Sequence, residues 1–541
     1  MLHPSKPKGE LVARCVEPRD DYIPDFYRLF YCYFQKVVEA LVEEIAHWTP
    51  VHPVLIDAPT GRGKSHLFKT ELIPRALAQG KTILIISNRV ALSCQQKIEI
   101  LEVLNSPMRK YLTDEGIRNT ERFGSVAIVT YHRLPAFLAD PENEAFIENL
   151  LYVVADECHM MTSDSGYNDF CGYYLKLLTT KFKHAVRIYM TATAWDILYP
   201  LAEEEKSSWR NYERVAGDGL LKREFRLYQF VASYAHIDLK FFASLESIKK
   251  ELESNTAEKS IVFIDNKQKG KPFADSLSVK TLYLDKDSKE SPEWAALLTS
   301  QKFDDYDVLV TTPALDCGIN VWDSRVKHIY VVTDDRAALI QMIGRKRCEA
   351  GEKITVHVQD LPESKLAARY KHVTDLLDQR ARYEQAGHQE RHRMANELWR
   401  SDDKELRLYF QLANGNLVIN ELAFHKLMRK VKFYERILNH EVTFQDEVRL
   451  WLGKGDMSSP QQAKAELMHF CHTIEDQEIE EDCLDILRKL AITAASLNGY
   501  YEDHPERLPD LGYDGINTRM QYVNAGYGIV KTNKKLYLRR K

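Results

Sequence analysis

The chain has 541 residues, 44% hydrophobic and 28% charged, so it can bury several cores and is neither a disordered tail nor a fibrous repeat. Its 74 Lys and Arg against 79 Asp and Glu leave a net charge of -5, which excludes a globally basic nucleic-acid coat and leaves room only for a local basic groove. Nine cysteines without a C-x-x-C pair point to a reduced, cytoplasmic protein, and no stretch approaches the ~20 apolar residues of a membrane span.

Residues 1–29 read as a charged, proline-bearing extension, without the apolar core of a signal peptide. From Phe26 to Trp48 the apolar residues Phe34, Val37, Val38, Leu41, Val42 and Ile45 recur at helical spacing. Gln35 within this stretch either reads an adenine edge, donating and accepting at once, or faces solvent. The apolar run Val54-Leu55-Ile56 then leads into Ala58-Pro-Thr-Gly-Arg-Gly-Lys-Ser65, with a helix expected from Leu67 to Leu77. Strand, glycine-rich turn, Gly-Lys-Ser and helix form the layout of a phosphate-binding loop, in which backbone N–H groups and the helix N-terminus face phosphate oxygens. Here Lys64 reaches the β- and γ-phosphates, Ser65 ligates Mg²⁺, and Gly61 and Gly63 let the backbone approach closely. Ala58 stands where the pattern usually has its first glycine.

Short apolar runs follow at Lys81–Ile86, Val126–Thr130, Leu150–Ala155 and Val186–Met190, separated by helical stretches. Such alternation predicts a doubly wound parallel sheet with its ligand at the carboxyl ends of the strands. The polar clusters Ser87-Asn88-Arg89, Asp156-Glu157-Cys158-His159 and Thr191-Ala192-Thr193 fall at those ends. Two acids after a continuous apolar strand are costly without partners. Asp156 is placed to hold Mg²⁺ opposite Ser65, and Glu157 to orient and deprotonate a water; the plainer alternative is an acid pair capping a helix.

After a linker near 200–225, a second α/β unit shows runs at Lys259–Ile264, Val279–Leu284, Asp307–Thr312 and His328–Val332, then a helix from Ala337 to Gly344. From about 363 the alternation stops. Helical faces appear at Leu366, Tyr370, Val373, Leu376 and Leu377, and at Leu422, Leu427, Val431, Tyr434 and Leu438. Between them Asn414-Gly415 signals a hairpin, expected to be packed against its neighbours rather than to act as a wedge. The tail from Lys531 to Lys541 either touches phosphates or frays in solvent.

The motifs APTGRGKS (58–65), SNRVAL (87–92), VTYHRL (129–134), DECH (156–159), TAT (191–193), TTPALDCGINV (311–321) and QMIGRKR (341–347) resemble, in order and spacing, those of superfamily 2 helicases of the DExH type, over about residues 30–360. The resemblance implies two tandem RecA-like parallel-sheet domains, residues 30–222 and 223–362, followed by a mostly helical accessory domain, 363–541, with one hairpin. It implies ATP and Mg²⁺ in the cleft between the two. Gln35, Thr60, Gly61, Gly63, Lys64, Ser65 and Gly318 would bind nucleotide. Asp156 would stand on the metal side and Glu157 would be the general base. Gln341 would line the second wall, with Arg345 as arginine finger. His159, Thr191 and Thr193 would couple nucleotide state to domain movement, and Arg89, Thr130 and Thr312 would hold a nucleic-acid backbone. The usual final arginine falls on Cys348, one residue after Arg347, and the aspartate often found after Gly318 is Asn320. The spacing from Asn320 to Gln341 leaves no room for a long separation pin.

The function expected is therefore an ATP-dependent helicase or translocase, with DNA favoured over RNA, no membrane, and a possible protein partner at the helical C-terminal region. The alternatives are an ATP-gated clamp or sensor in a larger complex, and a binding scaffold without turnover.

Overall fold

A computed structural model describes residues 11–15, 27–32, 36–88, 90–104, 113–166, 168, 170–210, 225–230, 234–254, 257–312, 319–349, 351–400, 403, 406–413, 416–440, 442–454, 464, 467–468, 470–471, 474–475, 478–479, 481–497, 511–523, 525–532 and 535–540. Residues 8–445 belong to one compact unit and residues 446–541 to another.

The first sheet has nine strands: β1 (Leu11–Cys15), β2 (Tyr27–Cys32), β3 (Val54–Asp57), β4 (Thr82–Ser87), β5 (Arg122–Phe123), β6 (Val126–Thr130), β7 (Leu150–Ala155), β8 (Val186–Thr191) and β9 (Phe225–Phe230), in the order β1-β2-β9-β3-β8-β7-β4-β6-β5. The interior pairings are parallel and both faces are covered, which is why these strands read as unbroken apolar runs. Successive side chains go to opposite faces. Leu55, Leu84 and Ile86 enter one core, and Val54, Ile56, Ile83 and Ile85 the other.

The second sheet has six parallel strands: β10 (Ile237–Phe242), β11 (Lys259–Phe263), β12 (Thr281–Leu284), β13 (Val308–Thr311), β14 (Val326–Val331) and β15 (Ile354–Gln359), in the order β10-β15-β14-β11-β13-β12. The expected fold class, two RecA-like parallel-sheet domains followed by a largely helical C-terminal region, is the one observed.

β1 and the first residues of β2, from within residues 1–29, join the first sheet. The expected linker contributes the helix Leu198–Arg210 and ends against β9, an interior strand. The stretch expected as one helix from Phe26 to Trp48 instead gives β2, a short helix Val37–Leu41 and a 3₁₀ turn Glu44–His47. Arg226 and Gln229 interrupt the apolar residues of Phe225-Arg-Leu-Tyr-Gln-Phe230, which masks a strand that pairs on both sides.

Beyond the second sheet run the helices Glu363–Gln385 and Glu421–Leu438, with the hairpin β16 (Phe410–Ala413) and β17 (Asn416–Ile419) between them. Phe410 and Leu417 are buried. Phe410 meets Tyr383 and Phe424 edge-on, and the Tyr383 hydroxyl donates to the Leu417 carbonyl at 2.7 Å. In the second unit the helices Glu481–Leu497 and Tyr513–Tyr522 pack with β18 (Tyr527–Thr532) and β19 (Lys535–Arg540) around Leu487, Ile516, Met520, Ile529 and Leu538. The tail, read as phosphate-touching or frayed, is thus largely a strand. Among the described residues no helix is long and apolar enough to cross a membrane.

Candidate active site

The loop after β3 is held at both ends. The Ala58 N–H donates to the Thr191 carbonyl at 2.9 Å, and the Arg62 carbonyl accepts from the Val37 N–H at 2.9 Å. Gly61 and Gly63 have φ of 85° and 84°, a left-handed conformation that a side chain would strain. Lys64 opens the following helix, is buried, and folds back so that its Nζ donates to the Ala58 carbonyl at 2.8 Å. The ammonium thus lies inside the turn, where an incoming phosphate would meet it. Ser65 follows, half-buried.

β7 delivers the acids. The Asp156 N–H donates to the Ile86 carbonyl at 2.8 Å, and its side chain accepts from the Glu157 N–H at 3.1 Å. Asp156 is buried. Glu157 sits at φ 50°, a conformation worth about 1–3 kcal/mol of strain in a residue with a side chain. Burial alone would raise its pKa, but Lys64, His159 and Arg345 outweigh burial and hold the carboxyl down at about 2. Glu157 Oε2 is shielded from solvent, lies 3.3 Å from His159 Nδ1, and makes no hydrogen bond. Ser65 and Asp156 offer only hard oxygen donors, which fit Mg²⁺.

From Glu157 a polar chain runs across the strand ends. Thr191 Oγ1 is 3.0 Å from His159 Nδ1, accepts from the Thr193 N–H at 2.9 Å and lies 3.4 Å from Thr193 Oγ1. All three residues are buried. Sequence reading passed over Asp57, the last residue of β3. Its carboxylate accepts from the Ala194 N–H at 3.3 Å; burial raises its pKa against that bond, Arg336 and Lys64. Its position immediately before the loop was the available signal.

The second domain supplies the opposite wall. The helix Arg336–Arg345 presents Gln341 and Arg345, both buried, with Arg345 Nη2 donating to Gln341 Oε1 at 3.0 Å. Arg345 Nε and Gln341 Nε2 are buried donors without acceptors. Beyond the helix the chain extends and pairs with Val321, whose N–H donates to the Arg345 carbonyl at 2.8 Å and whose carbonyl accepts from the Arg347 N–H at 2.9 Å. An extended segment alternates its side chains. Lys346 therefore turns away, buried on Glu352 at 3.0 Å, and Cys348 feels Lys346 and Glu352 on that same side. Arg347 turns toward the loop: its Nη1 is 3.5 Å from where a Cβ on Gly61 would be, and its Nε donates to Asn320 Oδ1 at 2.8 Å. Asn320 is neutral, so it orients Arg347 without cancelling its charge. Burial and neighbouring Arg345 push the Arg347 pKa down to about 10, against the pull of Glu157. The result is a pair of crowded cations facing the phosphate loop.

At Gly344 the two walls approach closely. A Cβ there would meet Thr60 Oγ1 at 3.0 Å and Thr60 Cβ at 3.2 Å. Gly344→Ala is therefore expected to leave thermal stability nearly unchanged, because alanine favours the helix by about 1 kcal/mol. It should nevertheless lower kcat/KM for ATP roughly tenfold by wedging the cleft. Melting curves and steady-state turnover check both halves of this expectation.

Thr130 ends β6 beside Ser87 and is half-buried; Thr312 follows β13 and is buried. Gln35, Arg89 and Gly318 lie outside the described residues. Away from the cleft, among the described residues, Glu251, His328 and His357 form one group of metal-ligand type. His328 Nδ1 is 3.1 Å from His357 Nε2, His328 Nε2 is 2.8 Å from Glu258, and the Tyr330 hydroxyl bonds Glu251, so these groups satisfy one another.

Residues 30–195 match the family model described as the type III restriction enzyme res subunit, and residues 243–347 match the helicase conserved C-terminal domain. No curated protein matches the chain by sequence. Among solved structures, Mss116p bound to single-stranded RNA and AMP-PNP is similar at 15% identity and a TM-score of 0.45, over 87% of this chain and 93% of that one. S. cerevisiae Dbp5 bound to RNA and ADP BeF3 is similar at 15% identity and 0.39, over 57% and 79%. The DUF1998 helicase MrfA bound to DNA is similar at 14% identity and 0.43, over 68% and 56%. With the phosphate loop and its acids in the first matched region and the facing arginines in the second, the chain belongs to the superfamily 2 helicases.

Proposed function

We propose that this helicase-family enzyme is an ATP-driven nucleic-acid translocase whose ATP lies between the Ala58–Ser65 loop and the Gln341–Arg347 segment. The observation that carries the reading is the placement of Arg345 and Arg347, contributed by one domain, against the phosphate loop and Glu157 of the other. Charge that builds on a transferring phosphoryl group is stabilised by such preorganised cations, and only when the domains are together.

In this scheme Lys64 leaves the Ala58 carbonyl for the β- and γ-phosphates. Thr60, Gly61 and Gly63 form the cradle, with Gln35 and Gly318 lining the nucleotide. Ser65 and Asp156 would hold Mg²⁺, which when bound neutralises phosphate charge. Glu157 orients a water and takes its proton, while Gln341 holds Arg345 in line. His159, Thr191 and Thr193 pass the state of Glu157 to the domain boundary. Arg89, Thr130 and Thr312 contact the backbone of a single strand running over both domains, and DNA is the favoured track.

A second reading, a nucleic-acid-stimulated clamp that closes without unwinding, is favoured by the hairpin. Among its described side chains, Phe410 and Leu417 are committed to packing rather than free to act as a wedge. Turnover is to be measured without nucleic acid and with single-stranded DNA, duplex DNA and single-stranded RNA, with Lys64→Ala as control. Strong stimulation by one of these, abolished by Lys64→Ala, is expected; directional strand displacement then separates motor from clamp. Turnover indifferent to all of them would sink both.

A further inference from the structure

The helix Glu421–Leu438 lies against both RecA-like domains. Its N-cap Asn420 reaches the first domain, where Nδ2 donates to the Ser165 carbonyl at 3.0 Å. One turn on, His425 stacks on Tyr199 with ring centroids 5.4 Å apart. Arg429 pairs with Asp196 at 2.8 Å, three residues after Thr193, and its guanidinium lies 4.8 Å over the Trp195 ring. The same helix grips the second domain. Lys426 Nζ is 3.4 Å from Asp335, and the Tyr434 hydroxyl donates to Asp334 at 2.5 Å. Asp335 is itself the N-cap of the helix that carries Gln341 and Arg345, accepting from the Ala338 N–H at 3.0 Å. Trp195 of the first domain is also faced by Arg336 of that second-domain helix, at 5.4 Å.

Two carboxylates thus oppose each other across the domain boundary, Asp196 after the Thr191–Thr193 segment and Asp335 at the start of the arginine helix. Burial and the charge of Asp335 push the Asp196 pKa up, with Arg429 opposing. Burial acts the same way on Asp335 but is outweighed, Lys426 foremost, and its carboxyl stays well below the usual range. Without the two cations the acids would be buried and mutually repulsive, with Lys430 left as the nearby cation acting on Asp335, a condition that moves structure rather than persists.

We propose that Lys426 and Arg429 are positioning residues for ATP hydrolysis: from a helix outside both RecA-like domains they neutralise Asp196 and Asp335 and hold the arginine helix at the spacing the cleft requires. The kinetic part of the inference rests on the cleft being the ATPase site; the spacing part does not. ATP is held mainly by the first domain's loop, so loosening the brace withdraws Arg345 and Arg347 more than it weakens binding. The Lys426→Gln/Arg429→Gln double variant should lower kcat at least ~10-fold while KM for ATP moves less than about threefold.

The test pairs that kinetic split with single-molecule FRET between dyes placed through unnatural amino acids at exposed Glu148 and Glu290, one on each domain. In the full-length protein without nucleotide, a narrow high-transfer population is expected, broadened and shifted to lower transfer in the double variant. Lys426→Arg/Arg429→Lys should retain the wild-type distribution and rate. Adding Asp196→Asn to the double variant should recover part of both, since it removes one of the repelling charges; a variant that had merely unfolded would not recover. An unchanged distribution in the double variant, or a lost rate that Asp196→Asn leaves lost, overturns the proposal. If the wild type proves to have no ATPase, the functional reading fails and the distribution alone decides the brace.

Discussion

Glu157→Gln is expected to lower ATP turnover by about 10²–10⁴-fold while the protein still binds ATP, the range general-base catalysis contributes. Glutamine preserves the size of the side chain and can still accept a hydrogen bond from water, but it cannot take the proton. The wild-type pH dependence should be informative as well. In the free enzyme Lys64, His159 and Arg345 hold the Glu157 pKa at about 2, so the group remains a carboxylate through any pH at which the protein is handled. A base that weak is poorly matched to its task. Bound triphosphate would place negative charge against Lys64 and Arg345 and remove part of their pull, raising the pKa and strengthening the base. Because kcat/KM reports the free enzyme and kcat the complex, kcat/KM should show no acid limb from Glu157 near the usual carboxylate range. The kcat profile should bend at a higher pH than that, and the bend should vanish in Glu157→Gln. Coincident limbs in the two profiles would contradict the assignment.

Arg345→Ala should cost roughly 10³–10⁵-fold in kcat, the worth of an arginine finger, with KM for ATP little altered. Arg347→Ala should follow it at a loss of about 10²-fold or more, because Arg347 faces the loop beside Gly61. The informative partner is Cys348→Arg, which restores the arginine at the position usual for the family. The pairing with Val321 turns residue 348 toward Lys346 and Glu352, so the new guanidinium would enter the wrong side of the segment and should not rescue Arg347→Ala. Rescue would show that the segment shifts register when nucleotide binds.

These arginines show where the sequence was legible and where it was not. Strands β3, β4, β6, β7, β8, β11, β12, β13 and β14 could be read because they are continuous apolar runs, whereas β1, β2, β5, β10 and β15 were not read, and the loop could be read because phosphate binding needs glycine, lysine and a hydroxyl at fixed spacing. The direction of Arg347 could not be read, since it depends on a single bridge to Val321 far back in the chain. Asn320 looked like a lost acid; in place it is the neutral acceptor that aims Arg347 without offsetting its charge. β9 was hidden because its arginine and glutamine break the apolar run. The basic residues of the Glu421–Leu438 helix drew no reading at all, because sequence shows charges and not the acids that meet them.

The strand order also dictates when the phosphate loop is finished during synthesis. β3, which carries the loop, is flanked by β8 and β9, so neither neighbour exists until most of the first domain has been translated. Until residues 225–230 leave the ribosome, β3 has an open edge and its apolar face lacks the cover that Tyr228 and Phe230 provide. Nascent chains of this protein therefore carry an unpaired, aggregation-prone strand for a long interval and should depend on chaperones over it. Fragments that stop at the end of the β8 region, although they contain every first-domain motif, should be insoluble; fragments extended past residue 230 should not.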